Sequence, residues 1–537
     1  NVATMAPRNG EPDPNADILK ILIATDNHLG YMEKDEVRKD DSFEAFEEIF
    51  QIAQREKVDF VLLGGDLFHD NKPSRPTLVK AIEILSRYCL GDDPVKVQVI
   101  SDQGVNFPNN RCERVNYEDE NLNVCLPVFT IHGNHDDPGG GDNLSAVDIL
   151  SSCNLVNYFG KSGLTGQGVG KVKLYPILLE KGDTKVALYG LGNIRDERLA
   201  RMMQTPGNVQ WVRPDVKAGY PKDCWFNIFT LHQNRVQHSA KNAIQDRWLA
   251  QFLDFVVWGH EHECLIEPQN TVDGDGRFYV TQPGSSVATS LIEGESKKKA
   301  VLTMEICGDQ WRTVTHPLTK VRPFQYLQVA LAEQIELDPE DPSTVTSFLE
   351  GKVTDMIAKA KAATPPGSTA PLPLVRIKVD YTGFSTINPQ RFGQKFVGKV
   401  ANPHDILLFH KSAAKKKKRD EGEDAGGIPG VDMDTRPEAL DQAQIEALIS
   451  QNLKENLKIL PEAELGIALH NFVEKEEKAS LSNFVKDMLA QHQKSLNAEA
   501  GGMDFQAGEG AKEGMERLLA HHLEGKAAKA ETNKILR

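Results

Sequence analysis

Two continuous apolar runs near the start of the chain each end in polar residues. The first is ILKILIATD, from Ile18 to Asp26, and the second is VDFVLLGGD, from Val58 to Asp66. Runs of this kind are typical of strands that are buried on both faces. Between them, apolar residues recur at helical spacing from Phe43 to Ala53. A strand, a helix and a second strand predict a βαβ unit of an α/β fold.

The same alternation continues along the chain. Pro76 to Leu90 predicts a second amphipathic helix, and Pro127 to His135 predicts another buried strand. Beyond Ser151, six closely spaced apolar segments predict a second sheet packed on the first: KVALYGLGNI, CWFNIFTLHQN, FLDFVVWGHEH, RFYVTQPGS, KAVLTMEICG and QWRTVTHPL. The pattern therefore predicts a two-layer β-sandwich flanked by helices over residues 18–321.

Four further segments differ from this predicted domain in composition and in the spacing of their apolar residues. Residues 1–17 are polar and Pro-rich, and we expect them to be disordered. Short strands and a helix from Thr346 to Ala362 predict a small α+β domain over residues 322–412. A basic and Gly-rich linker follows over residues 413–433, and apolar stripes at helical spacing predict a helical region over residues 434–537.

The segment from Gly91 to Leu126 interrupts the first domain. It is polar and carries aromatic residues, and its apolar residues show no helical or strand periodicity. A loop of this length within a domain is usually functional or disordered.

Composition narrows the class of protein without naming it. Of the 537 residues, 40% are hydrophobic and 26% are charged, which is typical of a globular protein. No apolar run approaches the roughly 18 residues that a membrane span requires. The seven cysteines are scattered without a CxxC pair, which argues against a disulfide framework or a cysteine zinc site. A net charge of −15 does not favour nucleic acid, but a local patch or bound cations can reverse the field at a site.

Five short motifs at predicted strand ends carry seven metal-type side chains: Asp26 and His28 in ATDNHLG, Asp66 in LLGGDLFHD, Asn134 in IHGNHDD, His232 in FTLHQNR, and His260 and His262 in VVWGHEH. Side chains that leave the carboxyl ends of strands converge on one crevice. Asp, Asn and His ligands without thiolate suit borderline-hard ions such as manganese. Asp66 follows two glycines and has two oxygens, so it can bridge two ions. Each motif alone also fits an ordinary turn, but together they predict a two-metal phosphoesterase site.

The motifs carry a family resemblance. The pattern DxH, GD, GNH[DE], H and GHxH is met by ATDNH, GGD, GNHD, LHQN and GHEH, and it resembles the calcineurin-like metallophosphoesterase superfamily. Within it, GDLFHD, IHGNHDDP, LHQNR and WGHEHE are similar to the SbcD family of double-strand-break repair nucleases, in its eukaryotic form. The resemblance covers Ile18 to about Lys494.

The resemblance implies roles for these residues. Two Mn²⁺ ions per chain would be held by two sets that share Asp66: Asp26, His28, Asp66 and His262, and Asp66, Asn134, His232 and His260. His135 would be the general acid or stabilise the transition state, although a residue beside a ligand can also simply hold that ligand in place. His69 matches a second family histidine that contacts the phosphodiester.

The resemblance also implies an activity and partners. The chain would be a nuclear, homodimeric, manganese-dependent 3′ to 5′ exonuclease and endonuclease acting on double-stranded DNA ends in homologous recombination and meiosis. Dimerisation would use the second helix and the insert. A nibrin-type adaptor would bind the insert at residues 91–126, and an SMC-like coiled-coil ATPase would bind the C-terminal helices. A self-contained helical hairpin is the alternative for those helices.

Basic residues beyond the first domain have two interpretations. In the family, the domain at residues 322–412 caps the active site and touches DNA backbone, and the candidates here are Arg376, Lys378, Arg391, Lys395 and Lys399. Such residues are usually only solvated. Lys415 to Arg419 is a nuclear-localisation or DNA-contacting run, or part of a solvated linker.

Two other classes of function compete with the nuclease. One is a phosphatase or cyclic-nucleotide phosphodiesterase on the same fold, but GDLFHDN lacks the Asp-Arg pair of calcineurin-type phosphatases, and the helical tail stays unexplained. The other is a DNA-end scaffold whose metal site is inactive. The presence of all seven ligands argues against this alternative. Ligand type alone does not distinguish manganese from magnesium or iron.

Overall fold

The computed structural model describes residues 17–411, except 109, 111–112, 164–169, 215–219, 222–223, 236–242, 272–277, 336, 340 and 363–370. The predicted linker at 413–433, the helical region at 434–537 and the run from Lys415 to Arg419 lie outside the described residues, as do residues 1–16. Asp17, at the end of the stretch expected to be disordered, accepts hydrogen bonds from Asp183 N and from the hydroxyl of Thr184.

The described residues contain eighteen strands and seven α-helices. The strands are β1 Leu19–Ala24, β2 Phe60–Leu63, β3 Gln98–Val99, β4 Val128–Thr130, β5 Asn157–Tyr158, β6 Val172–Leu174, β7 Ile177–Lys181, β8 Thr184–Leu191, β9 Val209–Trp211, β10 Phe226–His232, β11 Phe255–Gly259, β12 Leu265–Asn270, β13 Tyr279–Gln282, β14 Ala300–Cys307, β15 Gln310–Pro317, β16 Phe324–Ala330, β17 Leu374–Asp380 and β18 Leu407–His410. The helices are α1 Asp41–Glu56, α2 Arg75–Cys89, α3 Gln103–Asn106, α4 Ala146–Ser152, α5 Asp196–Gln204, α6 Pro342–Ala362 and α7 Pro389–Gln394.

The first sheet has six strands in the order β15-β14-β1-β2-β4-β5. The central strand β1 pairs in parallel with β2 and antiparallel with β14. Its side chains alternate between two cores: Leu22 and Ala24 pack with residues of α1 and α2, whereas Ile21 and Ile23 pack with residues of the second sheet. Both faces of β1 are therefore buried, which explains its unbroken apolar sequence.

The second sheet has seven strands in the order β12-β13-β11-β10-β8-β7-β3. Strands β8, β10, β11 and β13 run parallel, so their carboxyl ends meet at one edge. One face packs on the first sheet, and the other packs on a third core that includes Leu199 and Met202 of α5. The predicted two-layer β-sandwich flanked by helices is confirmed.

The insert from Gly91 to Leu126 is folded in the residues that the structure describes. Its strand β3 adds an antiparallel edge to the second sheet through Val99, which pairs with Leu179. Phe107 and Val115 are buried between the two sheets. The insert therefore contributes to the main core, although its sequence shows no period.

The small α+β unit is a three-stranded sheet, β16-β17-β18, in which all strands are parallel. Helix α6 packs on it through Val345, Leu349 and Val353. The helix begins at Pro342, four residues before the predicted start at Thr346, because Asp341 accepts a hydrogen bond from Ser343 N and proline is tolerated in a first turn. Arg322 joins this unit to α1 by a bidentate ion pair with Asp41, at 2.6 and 2.8 Å. Within the described residues, no helix has the length and apolarity of a membrane span.

Candidate metal centre

The predicted ligands all follow the carboxyl ends of parallel strands. Asp26 and His28 follow β1, Asp66 follows β2, and Asn134 follows β4. From the second sheet, His232 ends β10, and His260 and His262 follow β11. Because the two sheets face each other, these loops meet at one edge of the sandwich.

Four of the seven predicted ligands have a left-handed backbone: Asp26 at φ 52°, His28 at 47°, Asp66 at 48° and His260 at 85°. This region is sparsely populated by residues other than glycine, and it is found most often at functional sites. The loops also approach each other closely. A Cβ added to Gly133 would lie 2.1 Å from Oδ1 of Asp66, so only glycine fits there. The backbone is thus arranged to turn these side chains toward one point.

The first cluster consists of Asp26, His28, Asp66 and His262. Their ligand atoms all lie within 4.8 Å of one another, and all four residues are buried. Nε2 of His28 and Nε2 of His262 are 3.0 Å apart, and Nε2 of His262 is 3.5 Å from Oδ1 of Asp26.

The second cluster consists of Asp66, His232 and His260, whose ligand atoms also lie within 4.8 Å of one another. The amide oxygen of Asn134 joins them, 3.2 Å from Nε2 of His232 and 2.9 Å from Nδ1 of His260. Asp66 belongs to both clusters, as expected of a bridging carboxylate.

Two buried carboxylate oxygens show that the clusters fit cations. Oδ1 of Asp26 and Oδ2 of Asp66 accept no hydrogen bond from any residue that the structure describes. The other oxygen of each is occupied: Asp26 Oδ2 accepts from His260 N at 3.1 Å, and Asp66 Oδ1 accepts from His135 N at 2.8 Å. Nε2 of His232 is 3.3 Å from Oδ2 of Asp66 and compensates part of this buried charge. Buried carboxylates are costly, and a divalent cation at each cluster would offset that cost further.

The histidines are held so that a ring nitrogen can act as a ligand. Nδ1 of His232 donates to the carbonyl of Gly64 at 2.9 Å, which directs Nε2 toward the second cluster. Burial, and then the nearby His262, lowers the pKa of His28 well below its usual value, so its ring is neutral. Burial also lowers the pKa of His232, but the Asp66 and Asp26 carboxylates more than offset this and raise it to about 10. Because a ligating imidazole must be neutral, metal binding at His232 would displace a proton.

The structure brings His135 and His69 to the same place. Nδ1 of His135 donates to the carbonyl of His69 at 2.6 Å, and the two rings stack with centroids 5.0 Å apart. Nδ1 of His69 lies 3.4 Å from Nδ1 of His28. Both side chains are half-buried beside the first cluster. Their catalytic roles stay predictions.

Comparison with known proteins agrees with this geometry. The model for the calcineurin-like phosphoesterase family matches residues 19–264, and the model described as the Mre11 DNA-binding presumed domain matches residues 311–472. The double-strand break repair protein MRE11 of Oryza sativa subsp. indica is 59% identical over 486 residues, which are 90% of this chain and 67% of that protein. The protein of the same name from Homo sapiens is 44% identical over 488 residues, which are 89% of this chain and 67% of that protein.

The chain belongs to the MRE11 family of DNA double-strand break repair nucleases. The family resemblance predicted from the motifs is therefore confirmed. Among solved structures, a dimetal phosphatase from Danio rerio aligns with a TM-score of 0.29 and 11% identity, over 56% of this chain and 99% of that one, and adds nothing to the assignment. Membership in the MRE11 family makes the chain a metal-dependent hydrolase, and its DNA-binding domain match supports DNA binding.

Asp136 supports the MRE11 metal centre but is absent from the predicted residues. It is buried, and its carboxylate accepts hydrogen bonds from Leu67 N at 2.7 Å and Gly133 N at 2.6 Å. It therefore ties the loop that carries Asn134 to the loop that carries Asp66. Burial, and then the charge of Asp66, raises its pKa to about 6. Its position directly after His135 in the sequence could have predicted this role.

Glu295 also supports the metal centre, but no motif in the neighbouring sequence predicts this role. It lies in a short 3-10 turn, Glu293–Ser296, 33 residues after His262, and is completely buried. Its Oε1 is 3.3 Å from Nδ1 of His262, and the hydroxyl of Thr289 is 2.7 Å from the same nitrogen. Lys299 balances the charge from 3.3 Å. Such outer contacts orient a metal-ligating histidine.

The basic candidates of residues 322–412 make contacts within their own unit. Arg376 donates to the carbonyl of Asp405 at 2.7 Å, Lys395 forms an ion pair with Glu350, and the ammonium of Lys399 lies 5.7 Å from the ring centre of Phe396. Arg391 lies on α7 and Lys378 lies on β17. Their contact with DNA stays a prediction.

Proposed function

We propose that the chain is a manganese-dependent nuclease that acts on double-stranded DNA ends as a 3′ to 5′ exonuclease and as an endonuclease. The observation that supports this most directly is the pair of clusters that share Asp66, each with a buried carboxylate oxygen lacking a hydrogen bond. Two adjacent cations are the arrangement that in-line phosphodiester hydrolysis uses.

The distances support the ligand sets that the family resemblance implies. Asp26, His28, Asp66 and His262 would hold one ion, and Asp66, Asn134, His232 and His260 the other. These oxygen and nitrogen donors, without thiolate, suit Mn²⁺. When bound, the two ions would neutralise charge on the phosphoryl oxygens and lower the pKa of water.

His135 is the chain's own candidate for proton transfer. Its Nδ1–H is engaged by the carbonyl of His69, which fixes the ring, and its main-chain N–H is fixed by Asp66. Nε2 is then the atom that would donate a proton to the departing sugar oxygen or hydrogen-bond a phosphoryl oxygen. His69, stacked on this ring, would contact the phosphodiester.

The proposed partners come from the family match and the family resemblance. The DNA-binding domain match supports contact of residues 322–412 with duplex ends. Dimerisation through α2 and the insert is carried over from the family resemblance. The adaptor would bind the folded insert, the coiled-coil ATPase would bind residues 434–537, and the nucleus is where these partners and chromosomal ends occur together.

The first experiment uses a 3′-labelled duplex with added Mn²⁺. The parent chain and His135→Asn are compared, and the metal content of both is measured by mass spectrometry. Cleavage by the parent alone, with two ions in each protein, supports the nuclease and the role of His135. Equal cleavage by both proteins removes His135 from the chemistry. Cleavage by neither, with ions bound, favours a silent site or one that the ATPase activates.

A further inference from the structure

A cavity of about 810 Å³ adjoins the loop that carries Asn134 and His135. His132 and Asp137, on either side of these two residues, line it. The opposite wall is formed by the start of α5 and the residues before it. The cavity and the metal centre are therefore built on the same loop.

The α5 wall carries a row of arginines. Arg195, Arg198 and Arg201 all line the cavity. Arg198 and Arg201 are three residues apart on one side of α5, and Arg195 directly precedes the helix. All three are exposed, and they form a series of charges rather than a single point.

The cavity is cationic although the chain is acidic. Lys161 joins the three arginines, so four cationic side chains face two acidic ones, Asp137 and Glu197, in a chain with a net charge of −15. Arg201 is 3.6 Å from Glu197, and Lys161 forms an ion pair with Asp148 at 2.9 Å, so part of the positive charge of the lining is balanced.

The remaining lining is mainly polar. Asn143, Ser162 and Asn193 supply amide and hydroxyl groups, and Pro138 and Ile194 are the apolar residues of the lining. Arginine guanidinium groups bind phosphate through paired N–H donors, and such contacts position a nucleic acid without reading its sequence. A row of guanidinium groups suits a chain of phosphates better than one small anion.

We propose that this arginine cavity binds successive phosphates of the DNA strand whose phosphodiester lies at the metal clusters. The inference rests on the proposed nuclease function, and it adds the path of the strand beside the site. Arg195, Arg198 and Arg201 are the positioning residues, and they act on binding rather than on bond cleavage.

The test measures binding of a fluorescent single-stranded oligonucleotide by anisotropy, in EDTA and over a range of salt concentrations. The triple variant Arg195→Gln, Arg198→Gln and Arg201→Gln is compared with the parent. Because each phosphate contact to a single strand contributes about 0.7 to the slope of log K against log salt, we expect the slope to fall by about 2. A parental affinity and slope would overturn the proposal.

Arg312→Gln is the matched control for Arg201→Gln. The two side chains are equally exposed, at 69% and 67%, and each has one acidic partner, Glu305 and Glu197. We expect Arg201→Gln to weaken binding and Arg312→Gln to leave it unchanged. Equal losses would show general surface attraction and would overturn a defined site.

Hydrolysis of bis(p-nitrophenyl) phosphate with Mn²⁺ separates the cavity from the metal centre, because this ester has one phosphate. We expect the triple variant to retain the parental rate while it loses strand binding. A rate lost only in the triple variant would place the arginines in the metal centre and overturn the proposal. No hydrolysis by any protein, with the slope still reduced, would contradict the nuclease function and leave the strand site supported.

Discussion

The carboxylate of Glu295 lies 3.3 Å from Nδ1 of His262, on the opposite edge of the ring from the nitrogen that faces His28. Glu295 also accepts hydrogen bonds from Thr289 N at 3.0 Å and Ser290 N at 2.9 Å. A fully buried carboxylate with this many donors is held in one orientation, and it holds the imidazole in one orientation as well.

Glu295→Gln should therefore weaken metal binding at the first cluster, by about 10- to 100-fold in affinity. Isothermal titration with Mn²⁺ measures this directly. Glu293→Gln is the control, since Glu293 lies in the same turn and is exposed. Thermal melting of both variants shows whether the fold is retained. An unchanged affinity in a folded Glu295→Gln protein would mean that Glu295 supports the surrounding loop and Lys299 but does not orient His262 for metal binding.

Replacing Asp66 should remove more metal ions from the chain than replacing Asn134. Asp66 belongs to both clusters, whereas Asn134 contacts only residues of the second. We expect Asp66→Ala to reduce the bound metal from two ions per chain to none, and Asn134→Ala to reduce it to one. Elemental analysis after dialysis distinguishes these outcomes. One ion retained by Asp66→Ala would contradict the bridging role.

Removing the metal should lower the stability of the parent chain. One oxygen each of Asp26 and Asp66 is buried without a hydrogen bond from the described residues, so we expect cations to bind the folded state far better than the unfolded one. Free Mn²⁺ at about 100 times its Kd adds roughly 2.7 kcal/mol per site to the free energy of unfolding. Calorimetry in EDTA and in Mn²⁺ measures the shift in Tm. Asp66→Ala should show no shift, and a shift as large as the parent's would point to binding elsewhere.

Gly133→Ala should disrupt the metal site, whereas Gly139→Ala should not. A Cβ at position 133 would meet Asp66 Oδ1 at 2.1 Å and Asp66 N at 2.6 Å, while a Cβ at position 139 meets nothing within 4 Å. Overpacking of this kind costs about 1–3 kcal/mol and would displace the shared carboxylate. Urea denaturation and metal content report the two effects separately. Full metal binding by Gly133→Ala would show that the loops can move apart.

The residues of the candidate metal centre could be predicted because each of them lies at or just after the end of a strand. Asp26 and Asp66 end runs that are apolar because both faces of β1 and β2 are buried, and that pattern is local in the sequence. The fold of the insert was not predictable, since Val99 pairs with Leu179 from another part of the chain. Glu295 is likewise brought to His262 only by the packing of the loop before β14, and the arginine row becomes a cavity wall only when α5 packs beside the His132 loop.

Strand β1 faces two cores and delivers Asp26 to the metal centre within a few residues. Because side chains alternate along a strand, a slip of one residue would turn Ile21 and Ile23 toward the helices and Leu22 and Ala24 toward the second sheet. The same slip would carry Asp26 away from its cluster. Correct pairing of the central strand is therefore required for the candidate metal site to form, so uptake of metal during refolding is expected only once the sandwich has its native register.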